Sequence, residues 1–320
     1  VIEPIAFAAM ALEGALGWPG RLHGLIGHPV GLFARVISGC ERKLNRAEWS
    51  DMARRIAGLG AMLGLIAAVV LATMLVVWLV RGAAGDGAWL LLAVLAWPAL
   101  AARSLDDHVR PVLAALEADD LAQARRAVGM IVGRDTAGLD AAGVVRAAIE
   151  SLAESFCDGV AAPLFWLLLG GLPGAWAYKA INTADSLIGH PEEPLRAYGW
   201  AAARIDDLAN LLPARLAGAV LCLAAGAGGR AGWRVMLRDH GRHASPNAGW
   251  PEAAMAGALG VRLAGPILYD GVLAPKPWIG EEGRIAGAAD LRRALAIYRR
   301  ACVLLALGAF AAAWGAVWLA

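Results

Sequence analysis

Glu150, Glu154 and Asp158 recur at i, i+4 and i+8, so on a helix they rise along one face. Carboxylates that close repel one another unless a cation or a shared proton lies between them. An apolar run begins directly after Asp158. Oxygen-only ligands suit Mg2+, which keeps several waters and also holds substrate phosphates. The plain alternative is a solvated acidic helix end, but Leu152, Ala153 and Phe156 leave it little polar company. Further on, Lys179, Asn182 and Asp185 share one helical side, and Arg204, Asp207 and Asn210 repeat that spacing with Asp206 four residues before Asn210. Intrahelical ion pairs explain Arg204 with Asp207 well. They explain two adjacent Asp beside a membrane-like run less well.

A second polar group, Arg238, Asp239, His240, His243, Ser245, Asn247 and Glu252, is crowded into one segment. A His-x-x-His pair without further Cys or His partners is weak for zinc. These groups read instead as contacts to an anionic substrate, or as groups that orient one another. His28, in His-Pro-Val-Gly, is the other loop histidine. There is no GxxxxGK[ST], GxSxG or GxGxxG, so phosphate chemistry here does not use a P-loop. The four cysteines, Cys40, Cys157, Cys222 and Cys302, form no CxxC and read as small buried hydrophobes.

These polar residues bracket apolar runs, which sets the physical context. Hydrophobic residues make up 59% of the chain and charged residues 18%, with a mean hydropathy of +0.57. Ordinary globular domains carry about 25% charged residues. Thirteen Trp fit membrane–water interfaces. A net charge of +2 gives no electrostatic case for nucleic acid. No cleavable signal peptide is evident in residues 1–17, which contain Glu3 and Glu13 and lack a basic start.

Residues 5–17 are apolar but short for a span, which takes about 20 residues. The stretch GWPGRLHGLIGHPVG is expected to be an irregular loop. From Val30, apolar Phe33, Val36, Ile37, Cys40 and Leu44 face Arg35, Glu41, Arg42 and Lys43, which predicts an amphipathic helix at an interface. Residues 61–80 form the clearest transmembrane helix; a polar turn at 82–87 and a returning segment at 88–102, kinked at Pro98, follow. Arg42, Lys43, Arg46, Arg54 and Arg55 precede that span and only Arg81 follows it, so residues 40–60 and the segment after Ala102 are expected to be cytoplasmic. Residues 103–149 read as three helices, with Pro111 opening one, Asp119 or Asp120 capping the next and Asp140 opening the third. The GGLPG within 159–181 allows either a broken span or a hairpin. Residues 208–227 form another apolar run and 301–320 a final span. The expected fold is all-α: one polytopic membrane helical bundle over 1–320, with a cytoplasmic helical segment at 103–149 and amphipathic interfacial helices.

At these motifs the chain resembles the adenosylcobinamide-phosphate synthase family, CobD/CbiB, of cobalamin biosynthesis. The resemblance rests on HPVGLFARVISGCERKLNR, VGRDTAGLD, ESLAESFCDGVAAPLF, GGLPGAWAYKAINTADSLIG, GWAAARIDDLANLLPARL, RDHGRHASPNAGWPEAAMAGALGVRLAGP and KPWIG, which follow one another in the family's order. Three places depart from the family pattern: Gly17-Trp18-Pro19 for Gly-Asp-Pro, Ser155 for the amide after Glu154, and His190 for the Tyr after Gly189.

The resemblance implies an ATP-cleaving ligase that joins adenosylcobyric acid to an aminopropanol phosphate through an amide. It implies ATP and Mg2+, a bacterial inner membrane, an active site on the cytoplasmic side, and association with other cobalamin-assembly membrane proteins. On this reading Glu150, Glu154 and Asp158, with Asp185, Asp206 or Asp207, hold Mg2+ against ATP. Arg134, Lys179, Arg204 and Arg215 bind phosphate oxygens, since the Arg fork matches them. His28, Asn182, Asn210, Asn247 and Lys276 complete the binding set. His243 or Asp239 takes the amine proton, and Asp207 is also a catalytic candidate. Two other readings compete: an intramembrane Mg2+-dependent prenyl or CDP-alcohol transferase, and a non-enzymatic transporter or sensory relative.

Overall fold

The uncharged run at 61–80 lies within a 34-residue helix, Asp51–Ala84, whose first turn is capped by Ser50 accepting the Ala53 N–H at 3.3 Å. Much of its apolar surface faces outward, with Trp78 71% exposed and Leu63, Leu71, Met74 and Leu79 exposed with it. Water would not tolerate such a surface, but lipid matches it. The computed structural model describes residues 4–133, 135–269, 272–274 and 276–319. Among the described residues, three helical stretches, Asp51–Glu117, Ala141–Ile188 and Ala288–Gly315, contain windows apolar and long enough to cross a membrane. A fourth qualifies if Trp200–Ala209 and Leu211–Ala224, bent by 50°, form one span.

The chain divides into two compact units. The first comprises Val1–Ala101, Ala162–Asn210 and Ala309–Ala320. In it, Asp51–Ala84 packs on Ala162–Ile188 and Trp200–Ala209, and Val30–Leu44 lies on Ala162–Ile188 with Phe33 against Trp176 at 5.9 Å. Buried Arg54 ties the entry of the long helix to Asn45 Oδ1 at 2.8 Å and to the Pro194 carbonyl. The amphipathic helix is present at Val30–Leu44 with Phe33 and Ile37 inward. The preceding Gly/Pro stretch is not wholly irregular, because Gly20–Ile26 closes into a short helix that starts after Pro19. The return after Gly85–Gly87 is a helix of only nine residues, Ala88–Ala96, which ends in a 3-10 turn over Pro98.

Helix Ala162–Ile188 is interrupted at Gly171, with φ of +58°. A Cβ placed on Gly174 would lie 2.4 Å from the Trp166 carbonyl oxygen. Along a straight helix those residues would stand about 12 Å apart. The chain therefore bends sharply at GGLPG, bringing Gly174 against Trp166. Gly174 allows the two arms to touch. Gly174→Ala is expected to destabilise the protein by about 1–3 kcal/mol, read as a lowered melting midpoint in detergent; an unchanged midpoint would reject the close approach.

The second unit comprises Ala102–Ala161 and Leu211–Gly308. Asp120 and Asp140 cap their helices as expected, accepting from Gln123 N–H at 2.8 Å and Gly143 N–H at 2.7 Å. Pro111, expected to open a helix, lies inside Ala102–Glu117. It removes one backbone bond, a loss of about 3 kcal/mol in an isolated helix. Leu105, Val109, Val112 and Ala115 are buried on both sides of it, so packing carries the helix through. Helices Gly229–Asp239 and Gly249–Leu259 pack closely, and Gly257 faces the Ala231 carbonyl where a Cβ would stand 2.6 Å away. Two antiparallel ladders, Leu263–Ala264 with Trp278–Ile279 and Ile267–Tyr269 with Val272–Ala274, are the strands that an all-helical reading left out.

Candidate active site

Helix Ala141–Phe156 lays Ala147, Ser151 and Ser155 along one side, together with Glu150 and Glu154, and these five residues line a cavity of about 350 Å³. His243, Glu252 and Lys276 line it as well, and Ile131, Val132 and Gly133 form a rim. All of these belong to the second unit. Ser151 holds the rim by donating from Oγ to the Ile131 carbonyl at 2.6 Å. Glu150 Oε1 accepts the Ala264 N–H at 2.7 Å, and Arg146 Nε lies 3.9 Å from the same oxygen. Ala264 has φ of +55°, a sparsely populated conformation for a residue with a Cβ, so Glu150 fixes a strained turn. Arg146 and Arg262 lie on the Trp278 ring at 5.2 and 4.6 Å.

His243 and Glu252 meet in this cavity. The Ser245 N–H donates to His243 Nδ1 at 2.9 Å, which assigns the proton of the neutral ring to Nε2. Nε2 lies 3.6 Å from Glu252 Oε1. Burial pushes the His243 imidazole below its usual range, and the neighbouring Lys276 charge adds to the shift. Glu252 is 3% exposed in the first turn of Gly249–Leu259.

Asp239 has another task. It is completely buried and takes Arg238 in a fork at 2.8 and 2.7 Å, Arg242 at 3.3 Å and the Gly280 N–H at 2.8 Å. The Arg238 bonds hold its carboxyl well below the usual carboxylate range, and Gly280 acts in the same direction. A carboxylate so engaged is a poor proton acceptor. Arg215, expected at phosphate oxygens, and Asn247, expected in the binding set, meet at 3.2 Å, and Arg215 lies on Trp250 at 4.6 Å, which in turn stacks on His240 at 3.9 Å.

Asp158 shares the predicted acidic face but is absent from the cavity wall. It lies in a π-helical turn, Cys157–Ala161, whose wider winding breaks the i, i+4 register. Among the described residues no three His, Cys, Asp or Glu side chains gather as a ready-made metal cage. Arg134 lies outside the described residues.

The first unit carries the remaining candidates. His28 stacks edge-on to Trp18 at 4.8 Å, accepts the Val30 N–H at 3.2 Å and is pushed below its usual range by burial and by Lys179. Asp185 lies close enough to Asp207 and His190 to feel their charges. Asp207 pairs with Arg204 at 3.1 Å, as the intrahelical reading had it. Asp206 and Asn210 are buried and joined at 2.9 Å, and Tyr178 donates to Asn210 Oδ1 at 2.9 Å. Asn182 lends its carbonyl to Ser186 Oγ at 2.9 Å.

Sequence reasoning placed Glu252 only within a polar group expected to contact an anionic substrate or to orient its own members, named Ser155 only as a departure from the family pattern, and passed over Ser151.

Residues 6–298 match the family model described as CobD/Cbib protein. The cobalamin biosynthesis protein CobD of Rhodobacter capsulatus is 49% identical over 309 residues, 96% of this chain and 96% of that protein. The protein of the same name from Rhizobium meliloti (strain 1021) is 47% identical over 322 residues, 97% of this chain and 96% of its own length. That of Brucella suis biovar 1 is 44% identical over 296 residues, covering 91% and 90%. No solved structure matches the chain.

Proposed function

The chain belongs to the CobD/CbiB family of cobalamin biosynthesis, and from that premise we propose that it joins adenosylcobyric acid to (R)-1-aminopropan-2-ol O-phosphate, cleaving ATP, at the membrane. The observation that carries this reading is a cavity lined by three helix-borne carboxylates, Glu150, Glu154 and Glu252, together with Lys276. A free carboxylate is a poor acyl donor. Its oxygen therefore first attacks the terminal phosphorus of ATP, releasing ADP and leaving an acyl phosphate. The amine nitrogen then attacks the acyl carbon, inorganic phosphate departs with the bonding pair, and the nitrogen loses a proton. Such transfer asks for alignment and charge neutralisation more than for covalent help.

Mg2+ commonly takes one or two carboxylates, with waters and substrate phosphates completing its shell. Glu150 and Glu154 supply that donor number. Bound there, the ion would offset charge on the transferring phosphoryl group. Lys276 is suited to phosphate oxygens as a mobile point charge. Glu150 is aimed by the Ala264 N–H and Arg146, and Ser151 keeps the rim closed through Ile131. Asp239 takes a structural role. In the first unit His28, Lys179, Asn182, Arg204, Asp185 and Asp207 are proposed to bind substrate, while Asp206 and Asn210 support the fold through Tyr178. The basic flank ahead of Asp51–Ala84 supports a cytoplasmic reaction.

Detergent-purified protein given all three substrates and Mg2+ is expected to release ADP and phosphate one for one with adenosylcobinamide phosphate. ADP release indifferent to the amine, or amide formation without ATP, would reject the ligase reading.

A further inference from the structure

We propose that Arg230, Arg234 and Arg300 bind the headgroup phosphate of an anionic phospholipid, at the place where two lipid-facing stripes of the second unit end. Exposed Leu212, Leu216 and Leu223 fall within about 40° of one another around helix Leu211–Ala224, so they form one apolar stripe. On helix Ala288–Leu319, exposed Val303, Leu304 and Leu307 form another, and exposed Arg300 stands on the same face directly before them. The two stripes finish beside each other. A Cβ placed on Gly226, just beyond Leu223, would lie 3.9 Å from Arg300 Nη1. Gly226–Gly228 is the 3-10 turn that leads into helix Gly229–Asp239, and so to Arg230 and Arg234. Arginines at the end of an apolar stripe lay their stems along lipid tails and hold their guanidinium groups at headgroup level.

Helix Gly229–Asp239 has the outline of a helix lying in an interface. Gly229, Gly232, Val235, Met236 and Asp239 are buried, and the opposite arc carries Trp233 and Leu237 at one edge with Arg230 and Arg234 beside them. An indole suits the membrane–water boundary, and a guanidinium takes phosphate oxygens as a fork. Arg230 and Arg234 are one turn apart, about 6 Å, and can share a headgroup. Charge pairing sets these three arginines apart from their neighbours. Arg292 meets Glu117 at 2.6 Å, Arg293 meets Asp290 at 3.4 Å and Arg299 meets Asp106 at 2.7 Å. Arg300 instead donates from Nε to the Ala296 carbonyl of its own helix at 3.1 Å. Among the described residues no carboxylate lies within ion-pair reach of Arg230, Arg234 or Arg300. No Asp or Glu occurs between Leu211 and Arg238, or after Asp290. An anionic headgroup supplies the missing sign, whereas a zwitterionic one brings its own cation against the arginines. The leucine stripes that run up to the arginines favour a phosphate bearing acyl chains over a free one. None of these residues lines the cavity of Glu150 and Glu154, so the site stands apart from the ligase chemistry.

Native mass spectrometry of the detergent-purified full chain, titrated with dioleoylphosphatidylglycerol and with dioleoylphosphatidylcholine, tests this. One basic residue at a membrane surface strengthens the attraction of anionic lipid about fivefold, so three together give about 100-fold. The wild type is expected to prefer phosphatidylglycerol by that factor. Changing Arg230→Gln, Arg234→Gln and Arg300→Gln together should abolish the preference while phosphatidylcholine affinity stays within about twofold. All three positions are exposed, and Arg300→Gln alone, with an expected loss of about fivefold, serves if the triple variant does not fold. Arg35→Gln, Arg42→Gln and Lys43→Gln remove the same charge from Val30–Leu44 in the first unit and should leave the tightest phosphatidylglycerol site unchanged. Equal affinity of the wild type for the two lipids would overturn the assignment, as would a preference that survives the Arg230, Arg234 and Arg300 changes or an equal loss in the Val30–Leu44 variant. Displacement of the lipid by millimolar inorganic phosphate would mark a site for a soluble anion and overturn it too.

Discussion

Glu154→Gln is expected to lower ATP-dependent amide formation by about 10²–10³-fold in kcat, the usual consequence of losing one preorganised group at a charged transition state. Glu150 and Glu154 share a cavity wall, yet they are held differently. Glu150 is tethered through Oε1 to Ala264 and stands beside Arg146, whereas Glu154 is exposed at the cavity's edge. Gln at 154 keeps the size and the hydrogen-bonding reach but loses the charge that Mg2+ would require. The apparent Mg2+ requirement should rise together with the loss of turnover, while binding of the amino-alcohol phosphate stays near wild type. Coupled ADP release measured across a Mg2+ series in folded variant protein decides the matter. Full turnover at ordinary Mg2+ would remove Glu154 from the metal role.

Elements whose cause is local were legible from the sequence. The 61–80 run, the apolar stripe of 30–44 and the Asp120 and Asp140 caps each depend on residues within a few positions, and each forms as read. Gly20–Ile26 escaped because seven residues are too few for a period to emerge between prolines and glycines. Pro111 misled because a proline is favoured at a helix start, and the buried face that carries this helix across it is a tertiary fact. The site was half visible. Glu150 and Glu154 stand out by spacing, but the Ala264 N–H that aims Glu150 is 114 residues away, and no periodicity encodes it. Asp158 shows the limit of the spacing argument. It assumed a uniform 3.6-residue turn, and the π-helical turn at Cys157–Ala161 changes that count where the acidic face should have continued. Asp239 and Glu252 looked alike as acidic residues of one polar segment. Their environments differ, since one is saturated by two guanidiniums and an amide while the other lines the cavity.

Asp239→Ala should destabilise the protein by about 2–4 kcal/mol, more than any substitution at the cavity edge. The change removes the shared acceptor of Arg238, Arg242 and the Gly280 N–H, and strands that N–H in the interior. Arg238 is 44% exposed and keeps Glu282 at 2.8 Å, so it can return to water, and the expected loss stays below that of a fully buried pair. Asp239→Asn retains one acceptor and should lose about half as much. Activity should fall with stability, because the 3-10 turn His240–Arg242 joins Asp239 to His243, and loosening the one disorders the other. The pH dependence separates charge from packing. The carboxyl's folded pKa is depressed below 3.8, so its ionised form adds stability that is complete above the unfolded value and is lost as pH falls through the folded one. The gap between wild type and Asp239→Asn in denaturation midpoint should therefore be flat near neutrality and narrow below about pH 4. A gap that stays constant into acid would mean that shape, not charge, is what Asp239 contributes.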